Sequence, residues 1–108
     1  MLKYWIWLST RQNVSGAQAI ALLSRFGSAV AIYQADEEAL KRGSDASVPP
    51  SLLDKSLTGA DVILQQCYQK NIHVMTIQDA QYPARLRTID DPPIVLYYKG
   101  VFPAIDTS

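Results

Sequence analysis

The strongest constraint on the fold is an apolar strand pattern close to the end of the chain. Residues 94–98, Ile-Val-Leu-Tyr-Tyr, follow the diproline Pro92-Pro93, and the sequence ends eight residues after Gly100. Two prolines fix a rigid corner, and a strand with no polar face is typical of the covered interior of an α/β sheet. One other segment, residues 72–77, has the β-rich composition of a strand. The pattern therefore predicts the opening of an α/β domain larger than this chain can complete.

Residues 1–71 have a different pattern, with helical spacing of apolar residues and frequent cap residues. The predicted helices cover residues 2–11, 17–26, 29–34, 36–43, 51–57 and 59–70. Ser15 and Ser28 are predicted N-caps, because a serine oxygen can accept the unpaired N–H groups of a first helical turn. Gly27 suits the left-handed residue after a helix. This part is expected to form a compact helical module.

Other boundaries follow from the same reasoning. Asp36 is predicted to begin a helix that Gly43 ends, and Ser44–Pro50 is predicted to be a polar loop. Thr58 and Asp61 have the spacing of a capping box, and Asn71 is a candidate C-cap. Between the two strands, a helical turn is predicted from Tyr82-Pro83 to near Ile89.

Composition excludes several classes of protein. The chain has 108 residues, is 48% hydrophobic and has no net charge, which favours a globular core over disorder. Its first 35 residues carry three basic and no acidic side chains, a weak footprint for nucleic-acid binding. The longest apolar run, residues 2–8, is far shorter than the roughly 20 residues of a membrane span and lacks a signal-peptide pattern. We expect a cytoplasmic protein that does not enter a membrane.

The sequence contains no recognisable catalytic, cofactor or metal site. Cys67 and His73 are each the only residue of their type, and a metal site needs about three or four converging ligands. Cys67 is predicted to be a buried structural thiol on the apolar face of a helix. Asp90 and Asp91 are expected to set a turn rather than to act as an acid–base pair. Arg85 and Arg87 are expected to form a solvated face, with an anion site as the alternative. No catalytic residue, cofactor or metal is predicted.

One local motif has a mechanism for binding nucleic acid. Helix–turn–helix elements of the hairpin type present backbone N–H groups at a helix N-terminus to a phosphate. The turn before the predicted helix 17–26 gives four candidate contacts, namely Arg11, Asn13, Ser15 and Gly16. Such turns usually carry glycines, and here Asn13 and Ser15 stand in the two positions. A purely structural hairpin is the alternative interpretation.

Taken together, the residues resemble the DNA-processing protein A (DprA/Smf) family. The specific part is Tyr82-Pro83-x-x-Leu86 followed by Asp91-Pro92-Pro93-x-Val95-Leu96-Tyr97-x-Lys99-Gly100. The segments 22–28, Leu-Leu-Ser-Arg-Phe-Gly-Ser, and 71–76, Asn-Ile-His-Val-Met-Thr, look like the second helix and first strand of the same family. The likeness runs through residues 2–100 in the family's order.

This resemblance implies a mainly α chain with two domains. Residues 1–71 would be a helical domain of the sterile-alpha-motif-like (SAM-like) or helix-hairpin-helix-like type. Residues 72–108 would be the truncated start of an extended Rossmann domain. Family members bind single-stranded DNA in natural transformation and help to load the strand-exchange recombinase. Their DNA pocket belongs to the Rossmann core, of which this chain has no matching residues.

The resemblance therefore implies a non-enzymatic accessory domain of a protein that binds single-stranded DNA and acts in DNA uptake and recombination. The partners would be single-stranded DNA, mainly through the missing Rossmann core, and the recombinase. An alternative is a protein–protein interaction module that self-associates, for example as a homodimer, because strands without the rest of their sheet leave unpaired edges.

Overall fold

A computed structural model describes residues 2–42 and 49–99, and more than half of them lie in helices. The five α-helices are α1 (Leu2–Ser9), α2 (Gly16–Phe26), α3 (Ala29–Gln34), α4 (Glu37–Lys41) and α5 (Thr58–Gln69). Short 3₁₀ helices cover Pro50–Leu53 and Ala84–Thr88, and two strands follow α5, namely β1 (Ile72–Thr76) and β2 (Val95–Lys99). The predicted stop at Gly43 and most of the predicted loop Ser44–Pro50 lie outside the described residues. The mainly α content matches the prediction.

Local cap residues set most helix boundaries as predicted. Ser28 and Asp36 each accept a backbone N–H three residues ahead with the side-chain oxygen, which begins α3 and α4. Gly27 has φ 92° and closes α2 with an N–H bond to the carbonyl of Leu23, at 2.8 Å. A left-handed backbone is easy for glycine, since it has no Cβ to clash with the preceding turn.

Three predicted boundaries are wrong. The capping box at Thr58 does not form: Leu57 is the N-cap of α5 and makes no side-chain cap bond, while the N–H of Thr58 donates to the Ser56 hydroxyl at 3.4 Å. The C-cap of α5 is Lys70, and Asn71 follows it in a left-handed conformation with φ 54°. The helix predicted over residues 51–57 is a 3₁₀ turn that ends at Leu53. A single turn with no amphipathic face of its own has little to extend it.

The core is continuous from the helices to the hairpin of β1 and β2. The helix α1 lies at its centre and contributes four consecutive buried residues, Trp5 to Leu8. It packs against α2, α3, α5 and β2, so each side of this helix has a neighbouring element. Ile94 and Val95, which begin the second strand region, belong to the same buried cluster. The four consecutive apolar residues Trp5–Leu8 are therefore explained by burial on all sides of one helix.

The two strands pair antiparallel, with Val74 opposite Tyr97. Side chains of Val74 and Val95 point to the helices, while His73 and Tyr98 stack on the other face with ring centroids 5.2 Å apart. The prediction of a strand covered on both faces holds only in part. In β2 only Val95 is buried, and Tyr97 and Lys99 are exposed within the described part of the chain.

Candidate nucleic-acid interface

The candidate turn connects α1 to α2, and its first function in the structure is to cap α2. The Ser15 hydroxyl oxygen accepts the N–H of Gln18 at 3.1 Å, and the Gln18 side-chain oxygen accepts the N–H of Ser15 at 2.9 Å. These reciprocal bonds form a capping box. Ser15 has φ −73°, in the extended region, so its backbone needs no glycine. The prediction of Ser15 as an N-cap is confirmed.

The first two N–H groups of α2, those of Gly16 and Ala17, bind a carboxylate from the far end of the chain. Asp91 Oδ1 accepts the N–H of Gly16 at 2.5 Å and that of Ala17 at 3.4 Å. A negative group at this position is favoured by the unpaired N–H donors and by the helix dipole. Asp91 therefore has a role that neither interpretation from sequence assigned to it: it is a helix cap contributed from 75 positions away.

Gly16 is required here by space. A Cβ at this position would lie 2.0 Å from the carbonyl oxygen of Pro92 and 2.9 Å from Asp91 Oδ1. A backbone carbonyl cannot rotate away as the end of a long side chain can. The glycine that sequence reasoning placed in a phosphate-binding turn thus allows the diproline segment to approach α2.

The first turn of α2 consequently has an acceptor for each of its N–H groups. Gly16 and Ala17 bond Asp91, Gln18 bonds the Ser15 side chain, and Ala19 bonds the Ser15 carbonyl at 2.9 Å. A phosphate at this turn would have to displace the Asp91 carboxylate. Binding of nucleic acid by this turn remains a prediction. In the structure, the Asp91 carboxylate would compete with a phosphate for the same N–H groups.

Arg11 faces inward and binds protein carbonyls. Its guanidinium donates to the carbonyl oxygens of Trp7, Ser51 and Asp54 at 2.9–3.2 Å, and it lies 5.1 Å from the centroid of the Trp7 ring. Its side chain is 14% exposed and has the Asp54 carboxylate 3.7 Å away. These bonds join the end of α1 to the 3₁₀ turn Pro50–Leu53. The charge of Arg11 is thereby partly matched inside the molecule.

Asn13 is the fourth candidate and lies at the surface. It is exposed and has φ 63°, a left-handed conformation that asparagine tolerates better than most residues. The structure therefore brings Ser15 and Gly16 together at the cap of α2, directs Arg11 toward the 3₁₀ turn, and leaves Asn13 at the surface between them.

A cavity of about 370 Å³ lies beside this turn. Its walls come from the end of α1, the start of α2 and the segment from Asp91 to Val95. A second, smaller and more apolar cavity of about 320 Å³ is lined by Cys67 of α5 and Ile72 of β1, among other residues. Tyr97 borders both cavities. Burial raises the pKa of Tyr97, a hydrogen bond with Ser9 opposes this rise, and the neighbouring Cys67 thiol adds to it.

Several other polar side chains of the described residues have structural contacts. Cys67 is buried and unpaired with another cysteine, as predicted. Arg85 and Arg87 are both exposed, as expected, and Arg87 also donates to the carbonyls of Ile77 and Asp79 at 2.7 and 2.9 Å, which braces the connection between the strands. In residues 2–42 and 49–99 no group of three or more His, Cys, Asp or Glu side chains could hold a metal ion. None of the helices in those ranges has the length and apolarity to cross a membrane.

Lys55 is a basic group near the core whose pKa is lowered by its surroundings. Its ammonium donates to the carbonyl of Ala35 at 3.0 Å and lies over the rings of Trp7 and Tyr33. Burial lowers the pKa of Lys55, the Arg11 guanidinium lowers it further, and Asp36 opposes both. Sequence reasoning missed Lys55 and Asp91, since no local spacing links either to its partners.

Comparison with known proteins finds a likeness for the last third of the chain. The family model for DNA recombination-mediator protein A matches residues 73–108. That stretch contains the segment from Tyr82 to Gly100 on which the resemblance chiefly depends. No curated protein matches the chain, and no solved structure does either. The resemblance to the DNA-processing family is therefore confirmed over residues 73–108, the stretch that the model for DNA recombination-mediator protein A matches.

Proposed function

We propose that this chain acts in DNA processing or recombination as the N-terminal part of a protein related to DNA recombination-mediator protein A. The observation that carries the proposal is the family match over residues 73–108. The match includes the strand Val95–Lys99 and the diproline before it, and these residues lie against the helical part in the structure. The expected role is non-enzymatic.

In this proposal the helical part, residues 1–71, is a SAM-like or helix-hairpin-helix-like accessory domain. Residues 72–108 begin the extended Rossmann domain. Single-stranded DNA would bind mainly to the Rossmann core, and the strand-exchange recombinase would be the protein partner during natural transformation. The cytoplasm is the compartment in which such a reaction takes place.

The contacts at the candidate turn support weak DNA binding by these residues alone. A phosphate gains affinity from unmatched positive charge and from free N–H donors. Arg11 is already bonded to three carbonyls, and the N–H groups of α2 face Asp91 and Ser15. We therefore propose that Arg11, Asn13, Ser15 and Gly16 contribute at most a supporting contact to a strand held elsewhere.

Titration of a labelled single-stranded oligonucleotide with the 108-residue chain at low salt tests this proposal. We expect Kd values weaker than about 10 μM, in the range of non-specific binding. Sub-micromolar, salt-sensitive binding would contradict the accessory role. The family proposal is tested separately in a strain that lacks the gene: recovery of recombinants after delivery of linear single-stranded DNA should fall, and unchanged recovery would contradict it.

Self-association is a second candidate, and the edge of the hairpin favours it. The N–H of Ile77 bonds the carbonyl of Ile94 at 2.9 Å, and this alternation turns the N–H and C=O of Val74 away from β2. In residues 2–42 and 49–99 no third strand pairs with β1. Such an edge can add a strand from another copy. Sedimentation from 5 to 500 μM, about two decades of concentration, tests it: a monomer throughout would rule out this candidate in that range.

A further inference from the structure

We propose that residues Asp91–Ile94, which we call the strap, couple the folding of the β1–β2 hairpin to that of the helices. The strap joins the two parts of the chain that differ most in sequence pattern. In this proposal the helical part and the segment matched by the family model unfold as one unit because the strap holds both. Cutting its contact with α2 separates them.

One end of the strap is attached to the start of α2. Asp91 caps Gly16 and Ala17, and the missing Cβ of Gly16 leaves room for the carbonyl of Pro92. The carboxylate supplies the bonds and the glycine supplies the clearance. The two requirements are independent, and one backbone geometry meets both.

The other end of the strap is attached to the hairpin and its connection. The Tyr82 hydroxyl donates to the carbonyl of Pro93 at 2.6 Å, and the Ile77 N–H donates to the carbonyl of Ile94 at 2.9 Å. Ile94 is 3% exposed and belongs to the core cluster around α1. Each residue from Asp91 to Ile94 therefore contacts one side or the other.

The strap is stiff, so fixing one end against α2 also restricts the conformations of the hairpin end. Both Pro92 and Pro93 have a fixed φ, and the residue before a proline is held to extended conformations. A two-stranded hairpin is at best marginally stable by itself in water. The hairpin therefore depends on such attachments, and a stiff attachment to a well-capped helix is an effective one.

The chain carries a separate probe on each side of the strap. Trp5 and Trp7 are its two tryptophans, and both lie in α1, so tryptophan fluorescence follows the helices. His73 is its single histidine and lies in β1, so its ring proton signals follow the hairpin. Urea unfolding of the full 108-residue chain is followed with both probes, together with amide exchange at Gly16 and Ala17.

The test compares Asp91→Ala with Asp90→Ala. Asp90 is exposed and has no hydrogen bond to another described residue. Asp90→Ala therefore removes one negative charge next to Asp91 and leaves the Asp91 cap of α2 in place. We expect coincident midpoints in the parent chain and in Asp90→Ala. In Asp91→Ala we expect the His73 midpoint to fall below the tryptophan midpoint, and the Gly16 amide to exchange about fivefold faster, as for a lost cap.

Other outcomes have definite meanings. If Asp91→Ala lowers both midpoints together, Asp91 is a cap that stabilises without coupling, and the proposal is wrong. Midpoints that already differ in the parent chain overturn it as well. If Asp91→Ala does not fold, Asp91→Asn, which keeps an acceptor oxygen but not the charge, should show a smaller separation of midpoints in the same direction; coincident midpoints in that variant overturn the proposal.

Discussion

The carboxylate of Asp91 lies 2.5 Å from the backbone nitrogen of Gly16, although the two residues are 75 positions apart in sequence. This contact decides how the candidate nucleic-acid turn is used. The N–H groups that could receive a phosphate are bonded to a side chain of the segment that the family model matches. The same contact explains why a glycine begins α2.

Gly16→Ala should destabilise the fold by about 1–3 kcal/mol, the range for an overpacked site, because the new Cβ would meet the Pro92 carbonyl oxygen. The matched control is Gly59→Ala, which also places a methyl group in a first helical turn. Nothing lies within 4 Å of that Cβ, and the substitution should stabilise by about 0.4–1 kcal/mol. Urea unfolding of both variants measures the two signs. If Gly16→Ala leaves the free energy of unfolding unchanged, the strap can move aside without a cost in stability.

Ser15→Ala should cost about 1 kcal/mol, because the Gln18 N–H loses its acceptor and the capping box is broken. Ser24→Ala is the control on the same helix. Ser24 is exposed in the helix interior, where alanine is the better helix former, so stability should stay equal or rise slightly. Thermal unfolding followed by circular dichroism compares them. Equal losses in both variants would mean that Ser15 is not acting as a cap.

Arg11→Ala should lower the free energy of unfolding by about 1.5–3 kcal/mol, since three carbonyls lose a charged donor and the Trp7 ring loses its guanidinium cover. Arg85→Ala, on an exposed side chain of the second 3₁₀ helix, should change it by less than about 0.5 kcal/mol. Both variants remove one positive charge. If they weaken oligonucleotide binding equally and neither changes stability, Arg11 is a surface contact and the structural role is wrong.

Tyr82 should give the fold a stability that is lost in alkali. Burial raises the pKa of Tyr82 above its ordinary value of 10.0, and Arg87 partly opposes the rise. The folded state therefore holds this proton more tightly than the unfolded state, so the contribution is complete below pH 10.0 and declines as pH rises through the folded pKa.

Tyr82→Phe tests that pH dependence. At pH 8 the variant should be about 1 kcal/mol less stable than the parent, the usual value of a lost hydrogen bond, here to the Pro93 carbonyl. The difference should shrink above pH 10 as the parent loses its advantage. Tyr68→Phe is the control, because Tyr68 is 86% exposed and its loss should have no measurable effect. A difference that stays constant from pH 8 to 11, about three decades of proton activity, would contradict the assignment.

Features set by neighbouring residues could be predicted from sequence. Ser15, Ser28 and Asp36 begin helices because each side chain reaches an N–H three residues ahead, and Gly27 ends one because it alone accepts φ 92° at low cost. The capping box predicted at Thr58 failed under the same rules. Propensity for a cap is a weak preference, and the helix α5 begins one residue earlier than that box requires.

The candidate site could be located from sequence only in part. The turn predicted over residues 12–16 lies between two helices, although α1 ends at Ser9 and not at the predicted Arg11, and Ser15 has the predicted role in the cap. The partners of Arg11 and Gly16 lie 40 and 75 positions away, and no periodicity or spacing encodes such pairs. Arg87 is exposed as predicted, but its bonds to the carbonyls of Ile77 and Asp79 could not be predicted, because the fold of the connection brings these partners near.

The sequence by itself determined the order of the elements and the caps of α2, α3 and α4, because these depend on short-range backbone chemistry. Its motifs also carry the likeness to the family model that matches residues 73–108. Only the tertiary structure decided which groups at the turn are already occupied. Burial of Ile94 and Val95 in the core around α1 brings Asp91 to the start of α2, and a carboxylate delivered there satisfies N–H groups that sequence alone left open to a phosphate.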